Sequence, residues 1–209
     1  SANNGGQGNA GNIDLKTIGD ISLSGFTPPS TAPTTQNSDL SGISAISSAT
    51  LGRGNAGKIT IDTQDRGKLS LDRSNISTTI GKEAVGSTSN GIIISAREIA
   101  LGNRSFISSA NLGGKGDAGS INIKTIGDIS LSNSFISSDT SGQGNAGKIT
   151  IDTQNRGKLS LDKASIFSTI FENLAPQVQI QVKIVPNFPT YPQMPATRSL
   201  KLVVLAART

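Results

Sequence analysis

Aliphatic and polar residues alternate in short runs that keep returning along the chain. In the first complete set these are Lys58-Ile59-Thr60-Ile61-Asp62, Lys68-Leu69-Ser70-Leu71-Asp72 and Asn75-Ile76-Ser77-Thr78. Alternation with a period of two predicts strands that bury one face. The same trio returns with Ile149 and Ile151, Leu159 and Leu161, and Ile166 as its aliphatic positions. No window keeps apolar residues at i, i+3, i+4 and i+7 over three turns, and Gly or Pro interrupts most windows of that length, so helices are not expected.

Each strand is too short and too one-sided to be stable alone, so the repeats must supply its partners. Gly54 to Asp72 and Gly144 to Asp162 differ only at Asp65 versus Asn155 over nineteen positions, and Lys16 to Ser24 matches Lys124 to Ser132 throughout. Aligning on the glycine before the first strand selects Gly11, Gly57, Gly91, Gly119 and Gly147, at spacings of 46, 34, 28 and 28 residues. Five units of about 28 residues follow. Stacking equivalent strands about 4.8 Å apart sets each Ile or Leu on its counterpart and closes a dry core with three walls. The prediction is an all-β parallel β-helix, a solenoid of about five rungs. Its interior is expected to hold Ile13, Leu15, Ile21, Leu23, Ile59, Ile61, Leu69, Leu71, Ile76, Ile93, Ile99, Leu101, Ile107, Ile121, Ile123, Ile129, Leu131, Ile136, Ile149, Ile151, Leu159, Leu161 and Ile166.

Two stretches depart from the pattern. The matched pairs are offset by 90 and 108 residues, which places an 18-residue insertion in the first unit. Pro28, Pro29 and Pro33 rule out a central strand there, so residues 25–42 are expected to form an exposed loop. After Gly157 there is no further glycine, and five of the eight prolines follow Ala175. Residues 1–171 therefore read as the repeat region and residues 172–209 as an atypical, irregular C-terminal extension. Val178 to Ile184 alternates well enough to lie as a cap over an open end. The alternative, which the composition favours, is a reading-frame slip near Glu172: valine, leucine and alanine codons read one base out yield glycine, threonine, serine or asparagine. Ser1 to Asn12 starts mid-pattern and lacks the basic-then-apolar form of a signal peptide, so the chain reads as a piece of something longer.

Composition narrows the chemistry. Aromatic residues are 3% of the chain, too few to fill a wide interior. Cys and His are both absent, which excludes Cys/His zinc sites, disulfides, thiol nucleophiles and any imidazole base. No apolar run approaches the length of about 18 residues that a membrane span needs. The net charge of +5 divides into 15 Lys/Arg against 13 Asp/Glu in residues 1–171 and 4 against 1 in residues 172–209. Basic residues alternate with Asp, with no stripe and no interleaved aromatics, so nucleic acid is not expected as a partner.

The string GxGxxG occurs at Gly6/Gly8/Gly11, Gly52/Gly54/Gly57, Gly114/Gly116/Gly119 and Gly142/Gly144/Gly147. A dinucleotide site needs one such string at the head of a helix, whereas each copy here precedes a strand. Tight turns exploiting positive φ are the expected role. Gly52 to Lys58 and Gly142 to Lys148 imitate a phosphate-binding loop, but Ile59 and Ile149 stand where the magnesium hydroxyl belongs. Gly113 to Asp117 brushes the calcium nonapeptide with its Asp one position early. Asp62, Asp152, Asp72 and Asp162 recur at matched positions, and recurrence fits accepting a turn amide better than a single catalytic constellation. No catalytic, cofactor-binding or metal-binding residue is therefore assigned, and no cofactor is expected.

GNAGKITIDTQ, the LSLD-type strand and the closing NIST or FISS, repeated at about 28 residues, together resemble the repeat region of filamentous-haemagglutinin-like exoproteins, especially the large cyanobacterial ones. The resemblance covers about Gly5 to Ile170. It implies a right-handed parallel β-helix shaft on a secreted or outer-surface protein, exported unfolded by two-partner secretion through an outer-membrane pore. The N-terminal secretion domain of that family has no counterpart in this chain. The expected function is a non-catalytic shaft segment of a surface adhesin, with host or neighbour-cell surface glycans or proteins as partners. The alternative is a β-helix polysaccharide lyase or glycoside hydrolase. Solenoids need capping units, so end-to-end self-association and marginal stability are also expected.

Overall fold

The computed structural model describes residues 8–25, 44–82, 84, 91–154 and 156–171, and the strand 180–183. All of its regular structure is strand, arranged as three parallel sheets that form the walls of a β-helix. The first wall runs β1 (Ile13–Lys16), β4 (Ile59–Asp62), β7 (Ile92–Ala96), β10 (Ile121–Thr125), β13 (Ile149–Asp152) and β16 (Ile180–Lys183). The second runs β2 (Ile21–Ser24), β5 (Lys68–Asp72), β8 (Glu98–Gly102), β11 (Ile129–Ser132) and β14 (Leu159–Asp162). The third runs β3 (Ser44–Thr50), β6 (Ser74–Ile80), β9 (Phe106–Asn111), β12 (Phe135–Thr140) and β15 (Ser165–Ile170). Each rung uses one strand from each wall, so the described residues hold five rungs with all three strands, and β16 adds a sixth strand to the first wall. The expected parallel β-helix is thus the observed fold.

The core is a set of aliphatic columns. Leu15, Ile61, Ile94, Ile123 and Ile151 pair in register along the first wall, and Leu23, Leu71, Leu101, Leu131 and Leu161 along the second. Between rungs the residues pack into one continuous cluster with most members fully buried. The end members of the columns differ: Ile13, Leu15, Ile21, Leu23, Leu159 and Ile166, in the first and last rungs among the described residues, are only partly buried.

Two interior assignments need correction. Ile93 faces out at 37% exposure, while Ile92 and Ile94 are buried at 0% and 1%. Ile92 pairs with Ile59 and Ile121, so Gly91 occupies the place of Lys58 and Ser120, one residue after Gly57 and Gly119. The glycine alignment slipped by one at this rung, and a one-residue slip in a strand turns every side chain to the opposite face. Leu161 keeps its column beside Leu131 yet is 44% exposed, β14 being the last strand of the second wall among the described residues. Ile46 and Ile80, absent from the expected interior, also lie inward.

The walls meet at corners with different rules. Between the second and third walls the chain turns on left-handed residues, Arg73 at φ 47°, Asn133 at 46° and Lys163 at 49°. A left-handed residue other than Gly or Asn costs about 1 kcal/mol. Lys163→Asn, which copies Asn133 one rung earlier, should therefore raise the unfolding midpoint by a few degrees in thermal denaturation.

The glycine motif has a mixed origin. Its middle glycine has positive φ, as at Gly144 (φ 145°), in keeping with the expected turn. Its last glycine is required for another reason, the closeness of the rung below. A Cβ on Gly147 would lie 2.3 Å from the Gly119 carbonyl oxygen. All of the expected insertion loop, residues 25–42, except Gly25, and the extension 172–209 except β16, lie outside the described residues.

Candidate functional site

Inside the third wall a column of hydroxyls replaces the aliphatic residues. Ser48, Thr78, Ser109, Ser138 and Ser168 pair in register and are all buried. They are satisfied at the glycine corner. Ser48 accepts from the Gly57 amide at 3.0 Å and donates to the Gly11 carbonyl at 2.9 Å. Ser138 does the same with the Gly147 amide at 2.9 Å and the Gly119 carbonyl at 3.0 Å. Glycines and serines therefore form one device that ties the third wall to the start of the first. Below it, buried Asn111 accepts from the Gly113 and Gly114 amides and donates to the Gly114 and Gly116 carbonyls, holding the corner loop of its own rung.

The recurring carboxylates are spent on backbone amides. Asp62 accepts from the Gln64 amide at 2.7 Å and Asp152 from the Gln154 amide at 2.8 Å, each closing its own turn. Asp20 and Asp128 reach the Lys68 and Lys158 amides of the next rung at 2.7 and 2.8 Å, and Asp117 reaches the Asn145 amide at 2.6 Å. Asp72 and Asp162 differ from the turn-amide expectation: Asp72 accepts from Asn103 Nδ2 at 2.7 Å, and Asp162 from the Ser132 hydroxyl at 3.4 Å. The two phosphate-loop imitations lie at corners, with Lys58 and Lys148 donating their amides to Asn12 and Ser120. Among the described residues, no three acidic side chains lie close enough together to hold a metal ion.

The outward face of the third wall is chemically the most distinctive. Phe106 and Phe135 stack in register with centroids 5.0 Å apart and planes 2° from parallel, and Phe167 leans on Phe135 at 6.0 Å and 36°. Three of the six phenylalanines therefore share one patch. The repeated FISS at Phe106 and Phe135 carried the signal; Phe167 was hidden because it falls two residues later in its rung. Beside the rings, outward-facing hydroxyls pair across rungs, Ser77 with Ser47 at 3.3 Å and the buried Ser137 with Ser108 at 3.2 Å.

Asp139 stands in the same face between Ala110 and Thr169. One of its oxygens, Oδ1, is buried without a hydrogen-bond partner. Burial pushes its carboxyl up to about 6, against the pull of the Ser137 hydroxyl and the Thr169 amide, which favour the charged form. The folded state thus holds this proton more tightly than the unfolded chain, so stability falls as pH rises from about 4 to about 6 and levels off above. Asp139→Asn should remove that decline and gain about 1 kcal/mol at neutral pH, a figure reduced for the solvent that screens part of the carboxylate. Thermal unfolding across pH 4 to 7 checks it; a native-like decline in the variant would contradict the assignment. The sequence offered no hint of this group, since its environment depends on two neighbouring rungs.

Comparison of the chain with known protein families, with curated proteins and with solved structures finds no match.

Proposed function

We propose that this chain is a non-catalytic shaft segment of a secreted or cell-surface adhesin, and that the outward face of the third wall is where it touches surface glycans or proteins. The observation that carries the reading is the use made of the polar side chains. Asp20, Asp62, Asp117, Asp128 and Asp152 each bind a backbone amide, and the inner serines bind glycine peptides. Side chains used this way stiffen a rod along its axis and leave few groups free to act on a substrate. The resemblance of the repeats to filamentous-haemagglutinin-like exoproteins supports the same reading, and with it passage of the parent protein through an outer-membrane pore.

A polysaccharide lyase or hydrolase is the competing reading, and Asp139 is the residue that favours it, because a carboxyl held near 6 suits a general acid. A hydrolase also needs a second carboxylate about 5 to 10 Å away. In the rungs on either side, Asp139 is paired with Ala110 and Thr169. Incubating the chain with acidic and neutral polysaccharides while scoring both retention on a glycan array and release of reducing ends separates the two. Retention without release, weakened by Phe135→Ala, supports the shaft. Release that disappears in Asp139→Asn would establish the enzyme.

A further inference from the structure

The third wall ends on a line of exposed apolar side chains. Thr50, Ile80, Asn111, Thr140 and Ile170 pair in register on its inner side. The residues that follow them, Leu51, Gly81, Leu112, Ser141 and Phe171, therefore turn outward. Backbone bonds carry the ladder through this position: the Gly81 amide donates to the Thr50 carbonyl at 2.7 Å, Leu112 to Ile80 at 2.8 Å, Ser141 to Asn111 at 2.8 Å and Phe171 to Thr140 at 2.7 Å. Leu51, Leu112 and Phe171 are 42%, 50% and 63% exposed. Every second rung thus adds a large apolar group to one straight line, each about 10 Å from the last. A lone exposed leucine is ordinary, but here three of the six large apolar residues exposed among the described ones share a single register position.

The cations gather on the same corner. Arg53, Lys58, Lys82, Lys115 and Lys148 all lie in the segments that lead from the third wall to the first, residues 51–58, 81–91, 112–120 and 141–148, against Glu83 and Asp117. Glu83 lies outside the described residues, and Asp117 is engaged by the Asn145 amide. Arg53, Lys82, Lys115 and Lys148 are exposed. The two ion pairs among the described residues, Arg73 with Asp72 and Arg97 with Glu98, belong to the other two corners. Only glycine separates the apolar line from its nearest cations: Gly52 stands between Leu51 and Arg53, and Gly113 and Gly114 between Leu112 and Lys115. Lys82 packs on the same glycines, its Cγ 3.2 Å from where a Cβ on Gly113 would be. Glycines add no side chain, so leucine and cation can reach one surface together.

We propose that this corner docks on the surface of an anionic lipid bilayer, with Leu51, Leu112 and Phe171 entering the headgroup layer and the Lys and Arg side chains bound to lipid phosphates. The proposal does not rest on the adhesin reading, since the corner lies at the opposite end of β9 and β12 from Phe106 and Phe135. Cations alone would serve any polyanion. Cations beside a row of apolar groups fit a surface that is charged outside and apolar within. Duplex nucleic acid or an acidic polysaccharide would use the cations and leave the apolar row in water. The row runs along the solenoid axis, so the rod would lie flat on the bilayer.

Pelleting the full chain with vesicles tests this, using phosphatidylcholine alone and phosphatidylcholine with an equal part of phosphatidylglycerol. The native chain should pellet with the anionic vesicles only, and lose that binding in about 1 M salt, where charges are screened beyond about 3 Å. Lys82→Gln with Lys115→Gln should weaken binding about fivefold for each cation removed. Leu51→Ser with Leu112→Ser should weaken it about tenfold. All four side chains are exposed, so circular dichroism of both variants should stay native. The chain has no tryptophan, so Leu112→Trp places a single reporter on the row, and Ile18→Trp, on the corner between the first and second walls, is its control. Lipids brominated in their tails should quench the Leu112→Trp variant and leave the Ile18→Trp variant bright. Absence of binding, equal binding to both kinds of vesicle, equal quenching of both reporters, or binding that the leucine pair leaves unchanged would overturn the proposal. Retention on duplex DNA or polygalacturonate that only the lysine pair weakens, without vesicle binding, would assign the corner to a soluble polyanion instead.

Discussion

Replacing Ile61 with Asp is expected to unfold the whole rod. Ile61 is 0% exposed in the central column of the first wall, with Leu15 below and Ile94 above. Losing its burial removes about 2 to 3 kcal/mol. A carboxylate in its place either stays charged without a partner or takes up a proton, at several kcal/mol more. The sum rivals the whole stability of an ordinary domain, about 5 to 15 kcal/mol. Solenoid rungs also depend on their neighbours, so rung 2 cannot fail alone. Far-UV circular dichroism of the purified variant should show loss of the strand signal at room temperature. Ile93→Asp is the matched control, since Ile93 lies on the same wall and faces out. A folded Ile61→Asp variant, or an unfolded Ile93→Asp variant, would contradict the register described.

The second large effect is a contrast between two glycines that the sequence makes equivalent. Gly57→Ala is expected to destabilise by about 3 kcal/mol, and Gly11→Ala to leave stability nearly unchanged. A Cβ on Gly57 would sit 2.1 Å from the Gly11 carbonyl oxygen and 2.8 Å from Ser48 Oγ, whereas a Cβ on Gly11 meets nothing within 4 Å. Backbone cannot swing aside as a flexible side chain does, so rungs 1 and 2 would have to part at that corner. The Gly57 amide would lose its bond to Ser48, adding the cost of a buried unsatisfied group. Neither glycine has positive φ, so the difference isolates the steric effect from backbone preference. Urea titration of both variants measures it, and equal losses would show that turn conformation, and not contact between rungs, demands the glycine.

Much of the rod can be read along the chain, for a simple reason. Period-two alternation, Gly-rich junctions and near-identical repeats are local signals, and in a solenoid each unit contacts only its neighbours. The columns through Ile59, Leu69 and Ile76 follow from these signals. Rung 3 was harder, because Gly91 resembles the junction glycines while standing one place later; only its pairing with Lys58 and Ser120 on either side exposes the shift. The inner serines were invisible for a related reason. Ser48 and Ser138 sit at alternating positions that would ordinarily be apolar, and the glycine peptides that satisfy them lie at a corner 9 or more residues away in sequence. The third wall's outer face, with Phe167 and Asp139, likewise depends on which residues neighbouring rungs bring alongside.

What the sequence alone determined is the strand pattern, the three walls and the identity of most interior columns, since alternation assigns each side chain to a face before any partner is known. Whether a face is dry was decided only by the tertiary structure. Leu-Ser-Leu-Asp occurs in both β5 and β14. In the first its leucines are buried at 0% and 2%; in the second Leu161 stands 44% exposed. The local chemistry is identical, and the difference is that, among the described strands, β5 lies between two neighbours of its wall and β14 beside one. Burial in a stacked fold belongs to the pair of neighbours and not to the segment, so a repeat can be recognised from its own residues while its exposure cannot.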